Sequence, residues 1–252
     1  MPDPQFRSEA PAPARPRRLG PVLDVVTTIA IVAAAAAIVW SVLRAPAAAR
    51  LAQQARDRRV PPVPTLPLDL AGAARRGSPA ARIGLVEFSE FQCPFCGKYA
   101  REVLPGILDK YVQSGRLLLV FRNLPLERLH PFAVRAASLA ACADSTGRFW
   151  NVHDAFFAEP AIRTAEDVTG RAALAGLSAA EQESCLARPE FEQSVKADIA
   201  LARVLQIDST PAFMLGEVNG SKLVVRRVIL GARSLSDFEL AIDEALARVE
   251  KQ

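Results

Sequence analysis

The sequence contains few of the residues that commonly bind metal ions, with only two histidines and four cysteines among 252 residues. The histidines, His130 and His153, are not paired at the short spacing of a zinc site, and His130 is expected in a solvent-facing loop. Cys142 and Cys185 lie far apart and form no second Cys-x-x-Cys motif. A zinc site would have to combine ligands scattered along the chain, which makes metal binding a remote alternative for a single Cys-x-x-Cys pair.

The amino-acid composition excludes a disordered protein, because 50% of the residues are hydrophobic and the chain is long enough to bury a substantial core. The net charge is +4. Many of the positive charges are arginines near the N-terminus, namely Arg15, Arg17, Arg18, Arg44, Arg50, Arg56, Arg58 and Arg59. They flank an apolar run, which favours a membrane segment over a nucleic-acid groove as the reason for this charge. We therefore expect no nucleic-acid partner.

Residues 25–43 contain no charged side chain and are almost wholly apolar, close to the roughly 20 residues with which a helix crosses a bilayer. They predict one transmembrane anchor, preceded by a disordered cytoplasmic segment over residues 1–24. A cleaved signal peptide is the alternative, since Ala47-Ala48-Ala49 follow, although the apolar run exceeds the usual ~7–15-residue signal core. Because exchangeable cysteines suit an oxidising compartment, we expect the C-terminal part on the outer side of the cytoplasmic membrane, facing the periplasm or extracytoplasmic space.

Residues 44–79 are expected to link the anchor to a folded domain, because their many prolines hold an extended spacer. The domain is expected over residues 80–252. It begins with apolar strands at residues 83–88 and 117–122, joined by a helix that runs from the cysteine motif toward Gln113. Two buried strands joined through a helix predict a parallel βαβ unit and therefore an α/β fold.

The middle of the domain, about residues 131–205, shows helical patterns and no strand pattern, so we expect a helical insert. Breaks between its helices are expected at 145–147, 159–160, 176–178 and 188–189. Strands are then expected at residues 212–215 and 223–230, with the Asn219-Gly220 pair marking a hairpin turn. A closing amphipathic helix is expected over residues 236–249, with a serine as its N-cap.

The motif Cys93-Pro94-Phe95-Cys96 directly follows the first predicted strand and opens the first predicted helix. Cys93 thus lies at a helix N-terminus, where unpaired N–H groups and the positive end of the helix dipole favour a thiolate. Pro94 suits the first helical turn, because the N–H that it lacks would have no partner there. Cys96 falls one turn later, within reach of Cys93. The spacing predicts a redox-active cysteine pair.

Three segments of the sequence resemble the DsbA-like branch of the thioredoxin superfamily. They read VEFSEFQCPFC at residues 86–96, GRFWNVHDAFF at residues 147–157 and DSTPAF at residues 208–213. The resemblance covers about residues 80–250. It implies a thioredoxin-like α/β fold with a helical insertion, preceded here by the one N-terminal transmembrane helix.

The resemblance also implies roles for individual residues. Cys93 and Cys96 would exchange disulfides with substrates, and Pro211 would follow a cis peptide bond beside them, which only a proline adopts at modest cost. The backbone of Thr210 would then pair with an extended substrate peptide. The alternative is that Thr210 and Pro211 form only a turn at the start of a strand.

Three further residues acquire roles from the same resemblance. Glu87 matches a buried acid that exchanges a proton with Cys96, although a glutamate facing water on an edge strand is an equal alternative. Cys142 and Cys185 are implied to form a structural disulfide within the helical insert. Two buried free cysteines are the alternative there.

The function implied by the resemblance is that of a thiol–disulfide oxidoreductase introducing disulfides into cysteine-containing extracytoplasmic proteins. A membrane partner linked to quinones would reoxidise it, and no metal, nucleotide or other cofactor is implied. Phe95 stands where the best-known oxidants carry a histidine, which predicts a higher Cys93 pKa and a less oxidising disulfide. A reductase or isomerase of the same fold therefore remains open, as does a non-catalytic, membrane-tethered peptide-binding module.

Overall fold

The computed structural model describes residues 28–37, 39–40 and 61–251. Residues 28–37 and 39–40 are helical, whereas the rest of the anchor predicted at residues 25–43 and the segment predicted at residues 1–24 lie outside the described residues. In the described part of the chain, no helix is both long enough and apolar enough to cross a membrane. Residues 60–252 form a compact unit, which is described here by itself.

A six-stranded sheet forms the centre of this unit, in the order β1-β6-β5-β3-β4-β2. The strands are β1 (Leu68–Asp69), β2 (Ala74–Arg76), β3 (Ile83–Ser89), β4 (Leu117–Asn123), β5 (Ala212–Asn219) and β6 (Lys222–Leu230). Strands β3 and β4 are parallel and every residue in both is buried, as their nearly continuous apolar sequences predict. The remaining pairs are antiparallel. The predicted thioredoxin-like α/β arrangement is thus confirmed for this unit.

Three helical segments connect β3 to β4 where one helix was predicted. They are α1 (Pro94–Glu102), α2 (Leu104–Ile107) and a π-helical turn at Leu108–Val112. The interruption falls at Val103, two residues before Pro105. A proline inside a helix removes a backbone hydrogen bond and clashes with the preceding turn, so it accounts for the break.

Five helices follow β4 and form the predicted insert. They are α3 (Ala133–Asp144), α4 (Phe149–Phe157), α5 (Ala165–Leu174), α6 (Ala179–Ala187) and α7 (Pro189–Val204). Helices α5 and α6 begin with capping boxes, in which Thr164 or Ser178 exchanges hydrogen bonds with the acid three residues later. All the breaks predicted in the insert separate two of these helices.

The second hairpin strand and the last helix match the predictions to within one residue at each end, whereas the first hairpin strand extends four residues beyond its predicted end. Strand β5 continues to Asn219, so the turn consists of Gly220 and Ser221, and Gly220 takes a positive φ of 60°. The last helix, α8, spans Leu235–Glu250. Its N-cap is Ser234, whose side chain accepts a hydrogen bond from the Asp237 N–H. The cap lies two residues before the predicted start of the helix.

Helices cover both faces of the sheet. Tyr99 of α1, Phe213 of β5 and Phe238 of α8 meet on one face, with the Tyr99 and Phe213 ring centroids 4.5 Å apart. Phe88 of β3 and Ala202 of α7 belong to the core on the other face. The sheet is therefore the middle of three layers, and the loop after β3 emerges between them.

The folded unit begins before residue 80, because β1 and β2 lie within the linker predicted over residues 44–79. Arg122 of β4 fixes this segment: its Nη2 donates to the carbonyl oxygens of Asp69 and Ala71, at 2.9 and 2.8 Å. Its Nη1 lies 2.8 Å from Oδ1 of Asp198 in α7, a buried ion pair. Strands of two and three residues are too short to show an alternating pattern, which explains why the linker prediction extended too far.

Candidate redox site

The two cysteines of the motif lie at the start of α1, immediately after the loop that follows β3. Cys93 is the N-cap residue of α1 and Pro94 is the first residue of the helix. Both cysteines are free thiols. Cys93 is 5% exposed and Cys96 is fully buried, so the first sulfur is the one that a reagent would reach.

The environment lowers the pKa of one thiol and raises that of the other. The pKa of Cys93 falls from 9.0 to about 5, chiefly because the Cys96 thiol donates a hydrogen bond to its sulfur. The Thr210 side chain and the N–H groups of Phe95 and Cys96 contribute in the same direction. Burial raises the pKa of Cys96 well above 9.0, and the neighbouring Cys93 charge adds to that effect. At neutral pH the pair therefore holds one thiolate and one thiol.

The segment before β5 lies against the first cysteine. The Thr210-Pro211 peptide bond is cis, and the Cys93 sulfur lies 3.5 Å from the Thr210 carbonyl oxygen. Strand β5, which begins at Ala212, is antiparallel to β3. The fold thus brings together Cys93, Cys96, Thr210 and Pro211 although more than a hundred residues separate the two halves of the site.

Glu87 lies in the middle of β3, a central strand, and is fully buried. This position rules out the alternative in which Glu87 faces water from an edge strand. Desolvation raises its pKa from 4.5 to about 8, and the nearby Ser89 hydroxyl opposes that effect. Ser89 stands two residues along the strand, on the same face, and its hydroxyl also interacts with the Cys96 sulfur. Glu87, Ser89 and Cys96 thus form a buried polar row beneath the reactive cysteine.

A second buried acid, Glu90, belongs to the site and was missed from the sequence. It is fully buried, and one carboxylate oxygen accepts the Gln92 N–H at 2.8 Å. The other oxygen contacts Nδ1 of His130. His130 is therefore not simply a solvent-facing loop residue. Glu90 follows the last strand residue, so no periodic pattern marks it, and the sequence gives no sign that a loop forty residues away would return to it.

Gln92 and Phe91 hold the loop between β3 and α1. The Phe132 N–H donates to Oε1 of Gln92 at 2.5 Å, and Nε2 of Gln92 donates to the Ile162 carbonyl oxygen at 3.3 Å. The Phe91 ring stacks on Phe121, with centroids 5.4 Å apart, and packs among the aromatic residues of α4. The helical insert therefore positions the redox motif.

Cys142 of α3 and Cys185 of α6 form a disulfide, with their Cα atoms 5.7 Å apart. This is the pairing that the resemblance implied, and it excludes two free thiols at these positions. The bridge joins two helices of the insert. Phe95, between the redox cysteines, is 62% exposed and offers neither a charge nor a side-chain hydrogen bond to Cys93.

Comparison with known proteins agrees with this geometry. Residues 71–229 match the family model described as thioredoxin. The chain is 29% identical over 211 residues to the Na(+)/H(+) antiporter NhaA 1 of Salinispora arenicola, which covers 81% of this chain and 31% of the antiporter. It is 25% identical over 152 residues to the probable disulfide bond formation protein D of Bacillus anthracis, covering 58% of this chain and 69% of that protein.

Among solved structures, alpha-DsbA1 of Wolbachia pipientis superposes with a TM-score of 0.64 at 23% sequence identity, covering 73% of this chain and 97% of that chain. The chain spans less than a third of the antiporter's length, so this match shows similarity only to that part of the antiporter. The thioredoxin match extends over well more than half of the sequence and contains the whole redox site. The chain therefore belongs to the thioredoxin family and has the fold of the DsbA-like thiol–disulfide oxidoreductases.

Proposed function

We propose that this protein is a thiol–disulfide oxidoreductase that introduces disulfides into extracytoplasmic proteins through Cys93 and Cys96. The observation that carries the proposal is the opposite shift of the two thiol pKa values. The Cys93 pKa falls to about 5 while burial raises that of Cys96. A reachable thiolate beside a buried thiol is the arrangement that directs attack and release to one sulfur.

The reaction begins with the Cys93–Cys96 disulfide and two substrate thiols. A substrate thiolate attacks Sγ of Cys93, the Cys93–Cys96 bond breaks, and Cys96 leaves with the electron pair and takes up a proton. The second substrate thiolate then attacks the substrate sulfur of the mixed disulfide, and Cys93 leaves as a thiolate. Two electrons have passed from the substrate to the cysteine pair, and the substrate carries a new disulfide.

Glu87 is proposed to supply and recover the proton of Cys96. The leaving Cys96 thiolate is buried, so it gains stability when it is protonated. Burial holds the Glu87 pKa at about 8, which keeps its proton available at neutral pH. Ser89 interacts with both groups and offers a hydroxyl through which the proton passes.

Thr210 and Pro211 are proposed to hold the substrate peptide. The Thr210 carbonyl oxygen lies 3.5 Å from the Cys93 sulfur, so a peptide that pairs with this backbone segment would carry its own cysteine to the reactive atom. Backbone pairing is tolerant of sequence, which suits an enzyme with many clients.

The direction of electron flow is proposed to be oxidative. A stable Cys93 thiolate favours the reduced form of the pair and so makes its disulfide an oxidant. The low pKa of Cys93 favours this direction even though the Phe95 side chain contributes no hydrogen bond or charge. A reductase or isomerase is the second candidate, and the exposed apolar Phe95 is the feature that favours it.

The cellular setting is proposed from the sequence. The apolar run at residues 25–43 would anchor the protein in the cytoplasmic membrane, with the redox domain on the periplasmic or extracytoplasmic side. A quinone-linked membrane protein would then reoxidise the cysteine pair. The Cys142–Cys185 disulfide supports an oxidising compartment.

The test uses two matched variants of the full chain, Cys96→Ala and Cys93→Ser, together with the unmodified protein. The oxidised protein should form a disulfide in a reduced peptide that carries two cysteines. Cys96→Ala should accumulate mixed disulfides with the disulfide form of the same peptide, because its Cys93 thiolate attacks that disulfide and no resolving thiol follows, and Cys93→Ser should form none. The proposal fails if the oxidised protein leaves the peptide reduced, or if a measured potential close to that of thioredoxin identifies a reductant.

A further inference from the structure

The buried carboxylate of Glu90 lies within reach of the Cys93 charge and contacts the loop that precedes α3. Its Oε2 accepts the N–H of Gln92, the residue immediately before Cys93, and its Oε1 contacts Nδ1 of His130. The Glu90 N–H is directed at the Cys96 sulfur. Glu90 thus contacts the residue before Cys93 and the sulfur of Cys96, and its side chain has no exposed surface.

His130 connects this buried carboxylate to solvent. Its side chain is 22% exposed, whereas that of Glu90 is 0% exposed. The backbone holds the imidazole in place, because the His130 N–H donates to the Leu126 carbonyl oxygen at 2.9 Å and its own carbonyl oxygen accepts the Ala133 N–H. A proton on the carboxylate can therefore pass to the imidazole and from there to water.

The charge of this pair depends on the redox state of the cysteines. Among the described residues, the titratable groups facing Glu90 are Cys93 at the N-cap of α1, Cys96 in α1, and His130 in the loop that precedes α3. Glu87 stands three residues earlier, on β3, and Glu127 in the loop that carries His130 is exposed. The pKa of Glu90 is raised from 4.5 to about 8, chiefly by burial and in smaller part by the negative charge of Cys93, while the hydrogen bond from the Gln92 N–H opposes the shift. Forming the disulfide removes that negative charge.

We propose that Glu90 and His130 form a proton-holding pair that binds a proton when the Cys93–Cys96 disulfide is reduced and releases it to solvent when the disulfide re-forms. The inference rests on the proposed exchange reaction. Two substrate thiols deliver two electrons and release two protons. One proton ends on Cys96. The Cys93 thiolate does not hold the second proton, so the Glu90–His130 pair takes it up.

The Glu90–His130 pair acts on the redox cysteines through its charge and does not contact the substrate. Binding equilibria are reciprocal: a thiolate that makes a neighbouring acid hold its proton more tightly is itself stabilised by that protonated acid. A protonated Glu90 therefore favours the reduced enzyme, and an ionised Glu90 opposes it. The oxidising strength of the site should fall as the pair loses its proton.

The experiment compares the unmodified full chain with Glu90→Gln and with the matched control Glu127→Gln, an exposed acid of the same loop. The reduction potential of the Cys93–Cys96 disulfide is measured in glutathione buffers at several pH values, and the equilibrium constant for its two-electron reduction is expressed relative to the standard hydrogen electrode. A thiolate–thiol product takes up one proton, which gives a tenfold fall per pH unit. We expect a steeper fall below about pH 8 in the unmodified chain and in Glu127→Gln. Glu90→Gln should fall only tenfold per unit.

A carboxyl-labelled NMR titration of the unmodified chain provides a second readout that does not depend on a variant folding. Glu90 should titrate at a higher pH in the reduced form than in the oxidised form. Equal midpoints in the two forms, or equal slopes in the unmodified chain and Glu90→Gln, would overturn the inference while leaving disulfide exchange intact. Absence of any exchange at Cys93 would instead refute the proposed function.

Discussion

Replacing Glu87 by glutamine should stabilise the protein increasingly as the pH rises. Glu87 is fully buried in β3, and its pKa is raised from 4.5 to about 8. Between these two values the unfolded chain loses the proton while the folded protein keeps it. The unfolded state therefore binds fewer protons than the folded state, and the stability contributed by this group decreases with rising pH. Glutamine keeps the shape of the protonated acid and removes the titration.

The magnitude follows from the difference between the Glu87 pKa in the folded protein and its ordinary value. A tenfold change in proton affinity corresponds to about 1.4 kcal/mol, so Glu87 destabilises the folded protein by about 3 kcal/mol at pH 7 and by about 5 kcal/mol above pH 8, relative to a group that does not titrate. Below pH 4.5 both states hold the proton and the difference vanishes. The Glu87→Gln variant should gain these amounts over the same pH range.

The assay is urea unfolding of the full chain and of Glu87→Gln at several pH values between 4 and 9, with both proteins in the same redox state. The difference in the free energy of unfolding should change by about 1.4 kcal/mol per pH unit between pH 5 and pH 8. Glu102→Gln, which removes a 61% exposed carboxylate at the end of α1, controls for loss of surface charge. A difference between the unmodified chain and Glu87→Gln that stays constant with pH would refute the assignment of a protonated, buried Glu87.

Three further changes test other parts of the structure. Cys185→Ser opens a disulfide that spans 43 residues and should lower the free energy of unfolding by about 4 kcal/mol on the chain-entropy argument, as measured by urea unfolding. Asp198→Ala leaves the buried Arg122 guanidinium without its partner and should cost about 3–5 kcal/mol in the same assay, whereas a cost below 1 kcal/mol would contradict the buried ion pair. Thr210→Val removes a hydroxyl that favours the Cys93 thiolate, so the thiolate should titrate at a higher pH; an unchanged midpoint would exclude that contact.

The sequence predicts the central part of the fold because strong local signals mark it. Strands β3 and β4 are mostly apolar segments of seven residues, and the helices of the insert are separated by Gly, Pro and Ser breaks. The edge strands β1 and β2 carry no such signal, since they have only two and three residues. Tertiary contacts from Arg122 fix their position, and a sequence pattern does not reveal such contacts.

The candidate site divides in the same way. The cysteine motif is recognisable by residue type and spacing, Thr210 and Pro211 are identified through the resemblance to the DsbA-like branch, and the fold brings all four residues together. Glu90 and His130 are not recognisable, because their importance lies in a contact between two loops. The effect of Phe95 was also incompletely predicted. Its side chain gives Cys93 no help, yet hydrogen bonds from neighbouring groups still lower the Cys93 pKa to about 5.

The most direct test of the account is a pH titration of the Cys93 thiolate, followed by its ultraviolet absorbance in the reduced full chain, with Cys93→Ser as the blank. The rate of alkylation by iodoacetamide should follow the same curve. The structure predicts a midpoint near pH 5 and rapid alkylation at pH 7. A midpoint near the ordinary thiol value of 9.0, with slow alkylation at neutral pH, would contradict the claim that this fold presents Cys93 as a reactive thiolate.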